Sequence, residues 1–163
     1  MQAQNQLQEA EALYREALEG CEEKLGESHA HTLTSAGNLA NLLRLQGRVT
    51  EAEPLLRRTL RGCEQLLGTW HPLTVASCEG LAMALLVSGG LEEAEVLLRR
   101  ALEGNRSNLG RGHERTLMSL DSLAQAIQQR CPQEAEQLLR EALELRKEAL
   151  GESHTDTLTP LGL

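Results

Sequence analysis

The amino-acid sequence predicts an all-α fold, a solenoid of antiparallel helix pairs, and three observations carry that expectation. Of 163 residues, 34 are Leu, against one Ile, four Val, one Trp, one Tyr and no Phe, so the β-branched and aromatic residues that build strands are nearly absent. The triplet Glu-Ala-Glu begins at Glu9, Glu51, Glu93 and Glu134, with periods of 42, 42 and 41 residues, and a period of that length marks a stacked repeat array. Within each repeat the apolar residues return every three or four positions, which is the amphipathic helix period.

The elements follow in order from these patterns. The first phrase, EAEALYREAL, places a helix over 3–25 that stops before Gly26. A second helix over 31–46 ends at Gly47. The third, over 49–67, opens on the phrase EAEPLLRRTL and carries the stripe Ala52, Leu55, Leu56, Thr59, Leu60, Cys63 and Leu67. It is expected to stop at Gly68, which can take the left-handed conformation of a C-terminal cap, and Pro72 suits the first turn of the next helix. The fourth helix, over 72–88, runs through Val75, Cys78, Leu81, Ala82 and Leu85 into Ser88-Gly89-Gly90. EAEVLLRRAL then gives a fifth over 91–109, followed by a sixth over 114–129. The unit is one residue short at Gln128-Gln129-Arg130-Cys131-Pro132, so this turn must differ from its counterparts before EAEQLLREAL gives a seventh helix over 132–150. The array thus reads as residues 1–29, the second helix of a partial repeat; full repeats 30–71, 72–113 and 114–153; and a truncated first helix, 154–163, in which Pro160 breaks the pattern.

Each phrase runs on into Leu-Gly-x-x-His-x-x-Thr, with Gly26, His29 and Thr32 repeated as Gly68, His71, Thr74, as Gly110, His113, Thr116 and as Gly151, His154, Thr157. With His31 these are all the histidines. One per repeat, each in a turn between stacked helices, they are too far apart to converge on a zinc ion at about 2.0–2.1 Å, so the expectation is a role in shaping the turn. Small residues recur where two helices must approach closely: Ala40, Ala82 and Ala124 on the first helix of a pair, and Ala52, Ala94 and Ala135 on the second, followed seven residues on by Thr59, Ala101 and Ala142. Glu–Arg pairs four apart (Glu11 with Arg15, Glu53 with Arg57, Glu95 with Arg99, Glu136 with Arg140) mark the solvated side of the second helices. Cys21 and Cys63 lie one repeat apart, and with Cys78 and Cys131 they show no C-x-x-C pairing, so they read as small packing residues.

Composition also bounds function. The net charge is −8, from 24 acidic and 16 basic residues, which offers no footprint for nucleic acid or an acidic membrane. No apolar run approaches the roughly 20 residues of a membrane span, and the Gln-rich start lacks the features of a signal peptide, so a cytoplasmic location is expected. No nucleophile elbow, phosphate loop or metalloprotease helix appears, so neither catalysis nor a cofactor is expected.

The residues Asn38-Leu39-Ala40-x-Leu42-Leu43, Gly47-Arg48, Glu51-Ala52-Glu53-Pro54-Leu55 and Leu67-Gly68-x-x-His71-Pro72 resemble the tetratricopeptide repeat, in the longer 42-residue form found in kinesin light chain and nephrocystin. Leu81, Ala82, Leu85, Gly89, Ala94, Leu98 and Ala101 repeat the signature, and the likeness covers nearly the whole chain. The resemblance implies a right-handed superhelix whose concave groove, lined by the first helix of each pair, binds a protein or peptide partner. By register the lining is Thr34, Gly37, Asn41 and Arg44, then Ala76, Glu79, Met83 and Leu86, then Met118, Asp121, Gln125 and Gln128. Asn41 and Arg44 resemble the clamp with which tetratricopeptide co-chaperones grip a C-terminal carboxylate, while Gly37, Glu79 and Asp121 depart from it. Apolar patches at Met83, Leu86 and Met118 beside acidic Glu79 and Asp121 point instead to a peptide with apolar anchors and some positive charge. Trp70, on an inter-repeat turn, either packs over the adjacent turn or anchors a partner on the rim. Neither end carries a polar capping helix, so the chain is expected to be a piece of a longer array or to meet another chain there, with end-to-end self-association as one outcome. The functional expectation is a non-catalytic interaction scaffold, with a structural spacer or a regulatory fragment of a larger multidomain protein as the alternatives.

Overall fold

The computed structural model describes residues 2–150 and the side chains of residues 6–149, and among them it forms seven α-helices and no strand. In chain order these are α1 (Gln2–Leu25), α2 (Ala30–Leu45), α3 (Val49–Leu67), α4 (Pro72–Ser88), α5 (Leu91–Leu109), α6 (Glu114–Ile127) and α7 (Pro132–Leu150). The expected helix over 154–163 and the fourth Gly-x-x-His-x-x-Thr segment lie outside the described residues. The chain divides into two compact units, Met1–Gly90 and Leu91–Leu163. In the first, each helix packs on the next and α2 also touches α4; in the second, α5 packs on α6 and α6 on α7.

The repeated turn has a complete physical account. Gly26, Gly68 and Gly110 take φ of 86°, 85° and 91°. At Gly68, ψ is 170°, so this is not the left-handed helical cap expected but an extended mirror-image conformation open only to glycine. Three residues later comes a histidine in extended conformation whose Nδ1 accepts the backbone N–H two residues on: His29 from His31, His71 from Leu73, His113 from Arg115, each at 3.2 Å. The histidines are helix N-caps, in the place usually taken by Ser, Thr, Asp or Asn. The threonine closes the turn, because the buried hydroxyls of Thr32, Thr74 and Thr116 donate to the carbonyls of Gly26, Gly68 and Gly110 at 2.8, 2.8 and 2.7 Å.

Beneath the turns the core is Leu packed on Ala and Gly. Ala40, Ala52, Ala82, Ala94, Ala101, Ala124, Ala135 and Ala142 are all buried, as is Thr59. Gly62 shows why small residues are needed: a Cβ there would stand 2.5 Å from a methyl of Leu33 on α2, so α2 and α3 approach by seating that leucine on bare backbone. All four cysteines are free thiols, Cys63 and Cys78 buried and Cys21 and Cys131 half-buried. Cys21 lies 3.8 Å from the hydroxyl of Ser35 and Cys63 lies 3.8 Å from that of Ser77, while the next copies of these positions are Asn105 and Ser119, hydrogen-bonded at 2.8 Å. Burial pushes the Cys63 thiol up, away from the reactive thiolate.

The shortened unit ends differently from the others, as its sequence implies. α6 stops at Ile127, two residues before its expected end, and the N–H groups of Arg130 and Cys131 both bond the Ile127 carbonyl, with no positive φ in the turn. Gly47 and Gly89, by contrast, take positive φ where α2 and α4 end.

The Glu–Arg pairs four apart all form, yet they do more than solvate a face. Arg48, in the α2–α3 turn, reaches Glu11 on α1 and Glu51 on α3, each at 2.6 Å. In the second unit Arg99 joins Glu95 to Glu134 on α7, and Arg130 returns to Glu95 at 2.6 Å. These pairs tie α1 to α3 in the first unit and α5 to α7 in the second. A parallel tie exchanges its charges between units: Arg58 on α3 binds Glu22 on α1 at 2.5 Å, whereas Glu141 on α7 binds Arg106 on α5 at 2.7 Å.

Two sets of measurements test this account. Replacing Thr74 by Val removes the hydroxyl and keeps the shape, and urea denaturation should show a loss of about 1 kcal/mol. Changing His71 to Ala should remove a similar amount, about 0.5–2 kcal/mol, while Asn at that position should retain the cap. The carboxyls of Glu11 and Glu51, held mainly by Arg48, and of Glu134, held mainly by Arg99, lie below the usual carboxylate range. A carboxylate depressed in the folded state stabilises at pH above its unfolded value, about 4.3, and that contribution is lost as pH falls through the lower folded value. Melting temperature should therefore drop on acidification below about pH 5. The triple change of Glu11, Glu51 and Glu134 to Gln should flatten that acid limb, and an unchanged limb would show that the pairs do not contribute.

Candidate protein-binding faces on the first helices

In the first unit α2 and α4 touch, and the side-chain amide oxygen of Asn41 on α2 lies 3.5 Å from where a Cβ on Gly80 of α4 would be. With Leu39, Ala40 and Leu43 on α2, and Leu81, Ala82 and Leu85 on α4, turned into the core, the opposite side of each helix is left outside it. There Asn41 is exposed, and Arg44, Glu79, Met83 and Leu86 are half-buried, which brings these five expected lining residues onto one face. Thr34 is exposed two turns before Asn41, its hydroxyl donating to the Ala30 carbonyl of its own helix. Arg44 makes no ion pair among the described residues, and its Nε is buried without an acceptor. Gly37 belongs elsewhere: its Cβ position is 3.5 Å from the Thr59 methyl, so it faces α3 within the pair.

In the second unit α6 presents Met118, which is 57% exposed, together with exposed Gln125 and Gln128. Gln128 stands at the C-cap, just beyond the end of α6, because that helix stops early. Asp121 is an acidic point in sequence but is already paired: the guanidinium of Arg146, from α7, binds both its oxygens. Arg146 occupies the register of Cys21, Cys63 and Asn105, a core position, and is buried. Of the two acidic residues expected to attract a positively charged peptide, one therefore serves an internal ion pair.

Other exposed residues escaped the register argument. Leu45 and Val87, one repeat apart at the C-terminal ends of α2 and α4, are 71% and 70% exposed and extend the apolar part of the first unit's face. Their signal was present, since both fall off the core stripe of an otherwise apolar segment. Trp70, in the α3–α4 turn, is half-exposed. Among the described residues no cluster of three or more His, Cys, Asp or Glu side chains could hold a metal, and no helix is long and apolar enough to cross a membrane.

Comparison with known proteins agrees with this geometry. Family models for the tetratricopeptide repeat match residues 1–65 and 32–103, and a second such model matches residues 116–156. Crystal structures of a putative kinesin light chain with nearly identical TPR-like repeats from Podosopora anserina, and of a point variant of that same protein, are each 29% identical to this chain. They cover 98% of it over 76% of their own length, with TM-scores of 0.86 and 0.88. BtubC (BKLC) from P. vanneervenii shares the fold, with a TM-score of 0.71 at 21% identity, over 94% of this chain and 62% of its own. No curated protein matches the chain. Tetratricopeptide repeats generally form a non-enzymatic, protein-interaction fold. From repeat models that span most of its length, and from turns and helix pairs that repeat residue by residue, the chain belongs to the tetratricopeptide repeat family, with repeats of the kinesin light chain-like type.

Proposed function

We propose that the chain is a non-catalytic scaffold that binds a peptide or partner helix on the face shared by α2 and α4. The observation that carries this reading is a single one: on two touching helices whose Leu39, Leu43, Leu81 and Leu85 are buried in the core, Asn41 is left exposed and Arg44, Met83 and Leu86 half-buried. Each has something to offer. The thioether of Met83 adapts to a varied apolar surface, and Leu86 extends it. The Asn41 amide can donate to and accept from a peptide backbone at once. Arg44, without an internal acceptor, supplies a donor fork to a carbonyl or carboxylate. The partner that fits is a segment with two neighbouring apolar side chains and an acceptor beside them. Thr34 lies at the rim of this face. Met118, Gln125 and Gln128 on α6 form a second, smaller contact face in the other unit, where Asp121 serves to hold Arg146 rather than a ligand.

Peptides selected against the wild-type chain from a displayed library test the reading. Changing Met83 and Leu86 to Ala should weaken the selected peptides at least tenfold, as truncation of anchoring side chains by about 2 kcal/mol requires, and should leave the melting temperature nearly unchanged. Affinity equal to wild type in the double variant would remove the face from consideration.

A further inference from the structure

A hollow of about 320 Å³ lies between the α1–α2 turn and α3, with Glu27 and Ser28 on the turn side and Arg58, Arg61 and Gln65 on the helix side. Both sides differ from their own copies in the sequence. Arg61 corresponds to Glu19, Glu103 and Glu144, so α3 alone among the second helices carries a cation at that register. Ser28 corresponds to Trp70, to Gly112 and, outside the described residues, to Ser153. The α3–α4 and α5–α6 turns keep the same histidine and threonine bonds with Trp70 and Gly112 in that place, so the turn itself does not require the serine hydroxyl. In the second unit the corresponding hollow sets Gly112 opposite Glu141, Glu144 and Glu148. A serine facing arginines is therefore a combination particular to the first unit. Ser28 is exposed, and neither its hydroxyl nor Arg61 nor Gln65 bonds another described residue. Arg58 already reaches the turn: one of its nitrogens donates to the Glu27 carbonyl at 3.3 Å while another binds Glu22 at 2.5 Å.

We propose that Ser28 is a phosphorylation site and that Arg58 and Arg61, with the Gln65 amide, receive the phosphate. A protein kinase would transfer the γ-phosphoryl group of ATP to Oγ of Ser28. The Oγ–P bond forms as the bond from the γ-phosphorus to the β–γ bridging oxygen breaks, ADP leaves, and the hydroxyl proton passes to the base of the kinase. The phosphate brings a charge of about −1.5 to −2 and three acceptor oxygens, which planar guanidinium groups bind in pairs. Ser28 also stands just before His29, the N-cap of α2, where negative charge is favoured by the helix dipole. Glu27 is the carboxylate that competes for this place; its side chain is 79% exposed and 4.0 Å from Arg58, so it is free to turn into solvent. The modified serine would tie the α1–α2 turn to α3 and so strengthen the packing of the first unit. This site shares no residue with the α2–α4 face, and either assignment can fail without the other.

The intact chain, incubated with ATP and an extract of the cells that make it, should carry phosphate on Ser28 by peptide mass spectrometry; phosphate found elsewhere alone, or nowhere, would overturn the assignment. Phosphoserine placed at residue 28 during translation tests the receptor. Melting temperature should rise by about 2–4 °C over the unmodified chain, although the net charge becomes more negative. Arg61→Glu restores the residue of the other copies, so it should leave the unmodified chain nearly unchanged and turn the gain into a loss; Arg61→Gln should remove most of the gain. In a phosphorus NMR titration the second ionisation of the phosphate should fall below its ordinary value of about 6 in the wild type and return to it in Arg61→Glu. No rise in melting temperature, a rise that both Arg61 variants retain, or an ionisation that Arg61→Glu leaves unmoved would show that the arginines do not receive the phosphate.

Discussion

The turn built on Gly-x-x-His-x-x-Thr is the constraint on which the helix pairs depend, because it sets the angle at which a first helix leaves the second helix before it. Its three parts are distinct in kind. The glycine supplies a backbone conformation that no side-chain-bearing residue adopts at low energy, the threonine holds that glycine's carbonyl from inside the core, and the histidine imidazole starts the next helix by accepting a backbone N–H. The threonine hydroxyl is buried in all three described copies, so the turn is tied to the core rather than laid over it. With the angle fixed, leucines from one helix meet alanine or glycine on the other, and Leu33 over Gly62 is the tightest such contact described. A core of Leu on Ala needs that precision, since small residues on one side leave little side chain to adjust.

Charge adds choice of neighbour to this geometry. Each exposed ion pair contributes little by itself, so the Arg48 and Arg99 networks are better understood as placing one second helix against the next than as a large store of stability. The exchange from Arg58–Glu22 to Glu141–Arg106 strengthens that view. Were the repeats to pair out of order, α3 would bring Arg58 to Arg106 and α7 would bring Glu141 to Glu22. Like charges at a shared site oppose such an arrangement, which gives the repeats a preferred sequence of stacking.

Most of the fold was legible because periodicity and turn residues act locally. Helix ends fell within a residue or two of the expected places, and the shortened unit between Gln128 and Pro132 announced its different turn. What escaped was set across helices. Gly37 lies on the register of the binding face, yet its lack of a side chain lets Thr59 close over it, so it belongs to the pair interface. Asp121 read as a free acid because its partner, Arg146, comes from α7, where four copies of one core position run Cys, Cys, Asn, Arg. The Glu–Arg pairs marked a solvated face in sequence, but Arg48 and Arg130 approach from turns more than thirty residues away. His29, His71 and His113 were placed correctly in the turns, although the particular bond, Nδ1 to a backbone N–H, depends on the extended backbone at that residue.

The drift at that core position bears on how such an array is finished. Cys63 and its serine partner form a weak contact in an apolar setting, Asn105 and Ser119 form a full hydrogen bond, and Arg146 has moved to a carboxylate on α6 of its own pair. A buried guanidinium is tolerated only with its charge matched, so Asp121 is withdrawn from any ligand-binding role by the demands of packing. The α2–α4 face shows the opposite allocation. Gly37 stands where Asp121 does, Cys63 where Arg146 does, and no ion pair draws on Asn41 or Arg44 among the described residues. Asp121 of the second unit is thus spent on an internal ion pair, while Asn41 and Arg44 of the first unit are not, and that difference favours α2 and α4 as the candidate binding face.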